Sequence, residues 1–386
     1  MNVKFKHSDL KLINPPFESK LTNLIIELDY LRKKPLGGTT HPSTFFQLKK
    51  IFHTLESIGS ARIEGNRTTI AEFIETKIEK KETKDEKIIE IQNMEKALAL
   101  IDENIETVPI NRIFISELHK QVVKNLTPPP DGEGSENPGY FRKKNVRITK
   151  SNHLPPDMSQ VPAYMDELFA FIKKEDSSKY DLLKTALAHH RFAWIHPFDN
   201  GNGRTVRLFT YAMLVKQGFN IHIGRIINPT AIFCNDRDKY YKFLSKADAG
   251  MEVDLLGWCE YVLEGLKNEI DKIDKLLDYN YLSKNILLPA IDFSLERKLI
   301  IPREEKILKI VIKKQVIQAG DLKNIFPGKI PAEISRTIRK LKDKNMLMPE
   351  KNKPRKYVLH FENNYLLRGI IEMLDKNNFL PVSKDK

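Results

Sequence analysis

Between two stretches with helical spacing, Leu182–Trp194 and Thr205–Gln217, lies His196-Pro197-Phe198-Asp199-Asn200-Gly201-Asn202-Gly203-Arg204. These are residue types suited to handling an anion. Two glycines around an asparagine let the backbone turn tightly and expose consecutive N–H groups. A helix opening near Thr205 adds its positive end, and the two together make a cradle for phosphates. Arg204 and Arg207 fall in that helix's first turn, where two guanidinium forks can neutralise a polyphosphate. His196 ends the preceding helix, within reach of a nucleophile attacking phosphorus. Phe198 is apolar in a polar loop and is expected to anchor the turn in the core.

Other chemistries fit less well. Gly201-x-Gly203 lacks the third glycine of a dinucleotide fingerprint and follows no clear strand, and no Gly-Lys-Ser/Thr marks a P-loop. His189, His190 and His196 match no standard zinc spacing and have no acidic helper. A lone histidine beside an apolar helix is more often structural than catalytic, so spacing alone leaves both roles open to His196.

The chain reads as mostly helical. Phe45–Gly59 places Phe45, Phe46, Leu48, Ile51, Phe52, Leu55 and Ile58 on a broad apolar face. Thr69 with Glu72 forms a capping-box pattern opening a helix near Ile70. Ile88–Ile101, Ile113–Leu126 and Tyr164–Lys173 also carry helical spacing. The proline- and glycine-rich residues 127–139 predict a long loop, and Val146–Ile148 a short β-like segment. The charged run Lys80–Lys87 reads as a solvated helix end or linker.

With 386 residues the chain exceeds one ordinary core. Its 41% hydrophobic and 30% charged residues describe a globular protein. No stretch approaches the roughly 18 uncharged apolar residues of a membrane helix, and Lys4, Lys6 and Asp9 interrupt any signal-peptide pattern. Cys234 and Cys259 are too few for a disulfide framework. The expectation is a cytoplasmic protein with no membrane partner. Of the net charge of +13, residues 297–386 carry +12, from 22 lysines and arginines against 10 acids. A lysine-rich solvated surface and a nucleic-acid footprint both account for this excess.

His196 through Arg207, HPFDNGNGRTVR, closely resembles the signature of the Fic family, HPFx(D/E)GNGRxxR, with Asn200 as the sole departure. A motif this long and mixed is highly specific. Resemblance extends over about residues 45–265, through ALAHHRFAWIHPF, Gly139-Tyr140-Phe141-Arg142 and Tyr240-Tyr241. It implies a protein adenylyltransferase moving AMP from ATP to a Ser, Thr or Tyr hydroxyl of a target protein, the chain itself among the candidates. His196 would be the general base, while Gly201, Asn202 and Gly203 would give backbone and side-chain donors to the phosphates. Arg204 would bind the leaving pyrophosphate. Val146–Thr149, with Ile148 and Thr149 at the nucleotide, would be a β-hairpin flap holding the target by strand addition. Tyr240 and Tyr241 would flank the adenosine or, alternatively, be ordinary helix aromatics. Family members place Asp or Glu where Asn200 stands, to hold Mg²⁺; asparagine is a weaker oxygen donor, with Asp199 as a substitute.

Upstream, Ser60-Ala61-Arg62-Ile63-Glu64-Gly65 matches the family's inhibitory pattern (S/T)xxxE(G/N), which implies that Glu64, with Ser60, restrains the site by pairing with Arg207. A glutamate at a helix C-terminus conflicts mildly with the helix dipole, which favours a specific cationic partner.

Toward the C-terminus, helices over Glu304–Lys313, Ile317–Phe326 and Pro331–Lys344 precede the basic loop 351–355 and a β-like Lys356–Phe361. The pattern looks like a winged helix-turn-helix, used for DNA or for protein docking. The expected fold is mainly α: a helical Fic-type core with a small β-hairpin flap, plus a winged helix-turn-helix domain. Expected boundaries are 1–110 (helical, with the inhibitory helix), 111–265 (Fic core), 266–296 (helical linker) and 297–386 (winged helix). Removal of AMP by the same site, transfer of another nucleotide and a DNA-binding regulator with a vestigial core are the rival readings. A homodimer is left open. Intact His196, Gly201, Gly203, Arg204 and Arg207 argue against a vestige.

Overall fold

The computed structural model describes residues 5–33, 38–79, 83–148, 151–219, 229–328, 330–362 and 364–380. Helices α1 (Lys20–Lys33), α2 (Pro42–Ile63), α3 (Ile70–Glu79), α4 (Glu86–Asn104) and α5 (Arg112–Val122) come first. After the long loop follow α6 (Val161–Lys173), α7 (Asp181–Ile195), α8 (Asn202–Lys216), α9 (Pro229–Cys234), α10 (Arg237–Ala247) and α11 (Glu252–Asp274). The remainder holds α12 (Tyr279–Leu282), α13 (Leu288–Glu296), α14 (Pro302–Lys314), α15 (Pro331–Asp343), the strands β1 (Leu347–Glu350) and β2 (Lys353–Leu359), and α16 (Leu366–Lys376). None of the described helices is long and apolar enough to cross a membrane.

The chain divides into two compact units, both discontinuous in sequence. The first comprises residues 1–35, 56–68 and 83–271, the second 36–55, 69–82 and 272–386. Helix α2 gives its residues up to Leu55 to the second unit and those from Glu56 to the first.

In the first unit α7 packs on α8, with α5 and α6 beside them. Helix α7 is buried almost all round, as a core helix must be. That forces its polar side chains to find partners. His189 bonds Thr210 and the Tyr240 hydroxyl, Lys184 pairs with Asp176, and Arg191 pairs with Glu167. At the start of α5, the Asn111 side chain accepts the Phe114 N–H at 3.0 Å, a helix N-cap.

The second unit opens α3 with the anticipated capping box. Thr69 N–H donates to Glu72 at 2.7 Å, and Glu72 N–H donates back to Thr69 Oγ1 at 3.1 Å. Helices α13, α14 and α16 pack together, and a 3₁₀ turn (Ala319–Ile325) separates α14 from α15. Helix α15 buries Ile334, Ile338 and Leu341 and leaves Arg336, Arg339 and Lys340 exposed. β1 and β2 form an antiparallel hairpin in the register Leu347↔Leu359. Its two-residue turn places Asn352 at φ 64°, a conformation asparagine tolerates.

Two expectations are corrected. Val146–Ile148 forms no strand: its only described backbone bond there is a turn, from Ser151 N–H to the Ile148 carbonyl at 3.2 Å. Without a neighbouring strand to share N–H and C=O groups, β-branched residues alone make no ladder. Thr149 lies outside the described residues. Helix α8 opens at Asn202 rather than near Thr205, because Gly201 takes the left-handed N-cap conformation (φ 73°) that lets the next residue enter the helix.

Candidate active site

His196 caps α7 in the left-handed region, with φ 52° and ψ 60°, its N–H donating to the Phe192 carbonyl at 3.0 Å. A non-glycine residue persists there only when its surroundings fix it. Arg142 does much of that fixing. Its Nε donates to the His196 carbonyl at 2.9 Å, and its backbone N–H donates to the Pro197 carbonyl at 2.8 Å. Two further donations, to the Lys144 and Pro156 carbonyls, hold the guanidinium itself.

The loop beyond is braced from several sides. Phe198 is fully buried and stacks parallel on the His119 ring, centroids 3.7 Å apart. The Asp199 carboxylate accepts from Ser135 Oγ at 2.5 Å and from the Glu136 and Asn200 N–H groups at 2.9 Å each. Asn202 folds back on Phe198, accepting its N–H at 2.9 Å and donating to its carbonyl at 3.0 Å. The Asn202 side chain is therefore committed to the loop, and the donors toward an anion are the backbone N–H groups opening α8. A site assembled this way needs little reorganisation when a ligand arrives.

His119 was not singled out in the sequence. Its Nδ1 accepts the Gly139 N–H at 2.9 Å and its Nε2 meets the Asn200 carbonyl at 3.0 Å. A carbonyl only accepts, so the proton sits on Nε2 and the ring is neutral. Burial pushes its pKa down to about 4, in keeping with that tautomer.

His196 is half-buried, and burial, followed by the nearby Arg142 guanidinium, lowers its pKa to about 4. A neutral imidazole carries its proton on one ring nitrogen. The other is left as an acceptor through the neutral pH range.

Both arginines of the signature are buried. Arg207 donates from Nε to Ser60 Oγ at 2.8 Å, and from Nη2 to the Ser60 carbonyl at 3.0 Å and Glu64 Oε1 at 2.8 Å. Ser60, Glu64 and Arg207 thus form the cluster that the (S/T)xxxE(G/N) pattern predicts. The Glu64 carboxylate lies so close over Gly203 that a Cβ there would come within 2.0 Å of Oε1. Burial raises the Glu64 carboxyl, but Arg207, with Arg204 and Arg237 behind it, outweighs that and holds it below the ordinary range.

Arg204 makes a different set of contacts. Its Nη1 pairs with Glu90 at 2.9 Å, while Nη2 donates to the Glu133 carbonyl at 2.7 Å and lies 3.4 Å from the Glu133 carboxylate. Asn66 Nδ2 donates to Glu90 at 2.7 Å, fixing that carboxylate in turn. Burial pushes the Glu90 carboxyl up, with Arg204 opposing it. One signal pointed to Glu90: it shares a core-facing stripe of α4 with Met94, Ala97 and Ile101, where an acid needs a cationic partner.

Tyr240 is buried against His189, its hydroxyl 3.0 Å from Nε2, whereas Tyr241 stays partly exposed beneath Arg237. Their rings are 5.1 Å apart. Ile148 is half-buried in the irregular segment. Asn200 donates from Nδ2 toward the Glu133 carboxylate at 3.3 Å.

Comparison with known proteins bears on this site. The sequence model of the Fic/DOC family matches residues 109–214, which include α5, α7, the His196 loop and nearly all of α8. "Protein adenylyltransferase Fic" of Drosophila sechellia and that of Drosophila melanogaster are each 30% identical over 203 residues. Each match covers 51% of this chain and 37% of the relative, so the chain spans little more than a third of these relatives' length. A Fic family protein from Desulfovibrio desulfuricans G20 superposes with a TM-score of 0.55 over 92% of this chain and 98% of its own, at 16% identity. A Fic domain containing signaling protein from Bacteroides thetaiotaomicron gives 0.53 over 67% and 97%, at 18% identity. These structural likenesses are ones of fold. Sequence signature, family match and fold agree: the chain carries a Fic/DOC family domain at residues 109–214.

Proposed function

We propose that the chain is a protein adenylyltransferase, transferring AMP from ATP to a hydroxyl side chain of a target protein. One observation carries the reading: a neutral, half-buried His196 stands on the loop that leads into α8, whose first turns carry two buried arginines. The similarity to adenylyltransferase relatives over half the chain supports it. His196 takes the proton as the hydroxyl oxygen attacks the α-phosphorus. The bond from that phosphorus to the bridging oxygen breaks, and diphosphate leaves against Arg204. The backbone N–H groups of Gly201, Asn202 and Gly203 hold phosphate oxygens. Ile148, Tyr240 and Tyr241 border the nucleotide.

A divalent cation, Mg²⁺, neutralises phosphate charge when bound with the nucleotide. Asn200 offers it a neutral amide oxygen, a legitimate hard-metal donor. Asp199 is a poor substitute, since three donors already occupy its carboxylate.

Glu64 acts as an intramolecular brake, occupying the Arg207 fork that would grip the γ-phosphate. In the second unit α14, α15 and the hairpin form a winged helix-turn-helix, whose exposed basic residues suit duplex DNA. The anchored Glu64 also favours a second reading, in which it positions water to remove AMP from a modified protein.

The test incubates wild type, Glu64→Gly and Glu64→Gly/His196→Ala with each NTP and Mg²⁺, and reads the added group by intact mass. Labelling by ATP in Glu64→Gly and its loss with His196→Ala supports transfer. Labelling that survives the histidine substitution removes His196 from the mechanism. Release of AMP from a modified protein without any labelling selects the second reading.

A further inference from the structure

We propose that Glu133 supplies the carboxylate through which this chain holds the divalent cation accompanying the nucleotide's phosphates. The inference rests on the nucleotide reading above and concerns a residue outside the His196–Arg207 signature. The signature's acidic metal position is filled here by Asn200, a neutral donor, and the neighbouring Asp199 is committed to Ser135, Glu136 and Asn200. A Mg²⁺ ion bound with substrate phosphates ordinarily has one or two protein carboxylates. The loop preceding the Fic signature brings one in. Glu133 Oε2 lies 3.3 Å from the Asn200 side-chain nitrogen and 3.4 Å from Arg204 Nη2. It therefore sits on the residue assigned to the metal and on the residue assigned to the phosphates.

The chain is built to present Glu133 there. Gly132 and Gly134 flank it, and both press on the backbone at the end of the preceding segment. A Cβ on Gly134 would meet the Leu126 carbonyl oxygen at 2.1 Å, and one on Gly132 would meet the Thr127 carbonyl oxygen at 2.4 Å. The Gly134 N–H donates to the Thr127 carbonyl at 2.7 Å, and the Glu133 carbonyl accepts from Arg204 at 2.7 Å. The backbone of Glu133 is thus fixed on both sides, while its side chain remains 49% exposed and is held only by the long contacts to Asn200 and Arg204.

The spacing also suits a shared cation. The two ends of an asparagine amide exchange places by a half-turn. Turned over, Asn200 would set its Oδ1 about 3.3 Å from Glu133 Oε2. Two neighbouring ligands of an octahedral Mg²⁺ lie about 2.9 Å apart, so a shift of a few tenths of an ångström joins them. Asn200 would then contribute direction and Glu133 the charge.

The experiment measures Mn²⁺ binding by electron paramagnetic resonance in the presence of a non-hydrolysable ATP analogue. Wild type, Glu133→Gln, Asn200→Asp and the double variant are compared, and thermal melting checks each fold. Glu133→Gln should weaken Mn²⁺ at least about tenfold without weakening analogue binding in EDTA. Asn200→Asp should restore Mn²⁺ affinity in the double variant. Unchanged Mn²⁺ affinity in a folded Glu133→Gln, with wild type binding the Mn²⁺ complex, overturns the inference and leaves the nucleotide reading intact. Analogue binding lost equally with and without metal also overturns it, making Glu133 a support for Arg204. Wild type that binds no analogue under any condition overturns the nucleotide reading, and the inference with it.

Discussion

Replacing Glu64 by glycine removes one of three contacts on the Arg207 guanidinium and leaves the two from Ser60. Breaking one side of a fully buried ion pair costs about 3–5 kcal/mol. Glu64 is 27% exposed, however, so water can reach the vacated end. The cost should fall to the roughly 1.5–3 kcal/mol of a charged hydrogen bond. A γ-phosphate competing for the same fork must displace the same interaction. Since about 1.4 kcal/mol is a factor of ten, productive alignment should improve roughly ten- to hundred-fold in Glu64→Gly. ATP affinity should change far less, because the α8 opening and Arg204 remain available and only alignment was blocked. The assay is the initial rate of label transfer from ATP labelled at its α-phosphate, beside nucleotide affinity by calorimetry. Arg207→Ala also abolishes the pair but removes the proposed phosphate ligand, so it should not activate. Wild type labelling as fast as Glu64→Gly, or equal activation by Arg207→Ala, refutes the argument.

Four further outcomes can be measured. With a folded-state His196 pKa of about 4, the base stays neutral at mildly acidic pH. Transfer by Glu64→Gly should therefore be level from about pH 5.5 to 7.5, and an acid limb centred near the ordinary histidine value of about 6.5 would contradict it. The same depressed values at His196 and His119 let the unfolded chain bind protons first as pH falls below about 6.5, so melting temperature should decline from there toward 4. Gly203→Ala should push Glu64 off Arg207 yet fail to activate, since the methyl group enters the phosphate cradle; activation matching Glu64→Gly would show that no phosphate sits there. The full chain should bind duplex DNA through Arg336, Arg339, Lys340, Lys351, Lys353 and Arg355, losing about 10³-fold in affinity between 50 and 200 mM salt; salt-insensitive or absent retention points to protein docking instead.

The parts of the site that were legible are those written in consecutive residues. His196 to Arg207 lie within one helix–loop–helix turn, so spacing alone keeps them together. The Glu64–Arg207 contact was legible only because a motif tied two distant segments together. Glu90, Glu133 and His119 left weaker traces, since each acts through a partner tens of residues away: Arg204, Asn200 and Gly139. The β-like Val146–Ile148 shows the limit of local preference, because a strand exists only if a neighbour completes its hydrogen bonds. The start of α8 was misplaced for a related reason: Asn202 favours turns by itself, but its side chain is consumed closing the loop on Phe198. The two compact units are assembled from separated segments, with α2 contributing to both, and no local spacing records such an assembly.

The opening of α8 concentrates positive charge, with a helix terminus and two buried guanidinium groups three residues apart, and three carboxylates balance it. They differ in how firmly they are held. Glu90 is 4% exposed and pinned by Asn66, Glu64 is 27% exposed, and Glu133 is 49% exposed. An incoming triphosphate brings its own negative charge, and it can displace only the carboxylates that water can resolvate cheaply. Glu64 and Glu133 meet that condition and Glu90 does not. Glu90 should therefore stay on Arg204 throughout and aim its remaining donors at the phosphates. Glu90→Gln should lower thermal stability and nucleotide affinity together, in the opposite sense to Glu64→Gly, and should not raise transfer. Activation by Glu90→Gln in a folded protein would mean that burial does not rank these carboxylates, and that Arg204 is restrained as Arg207 is.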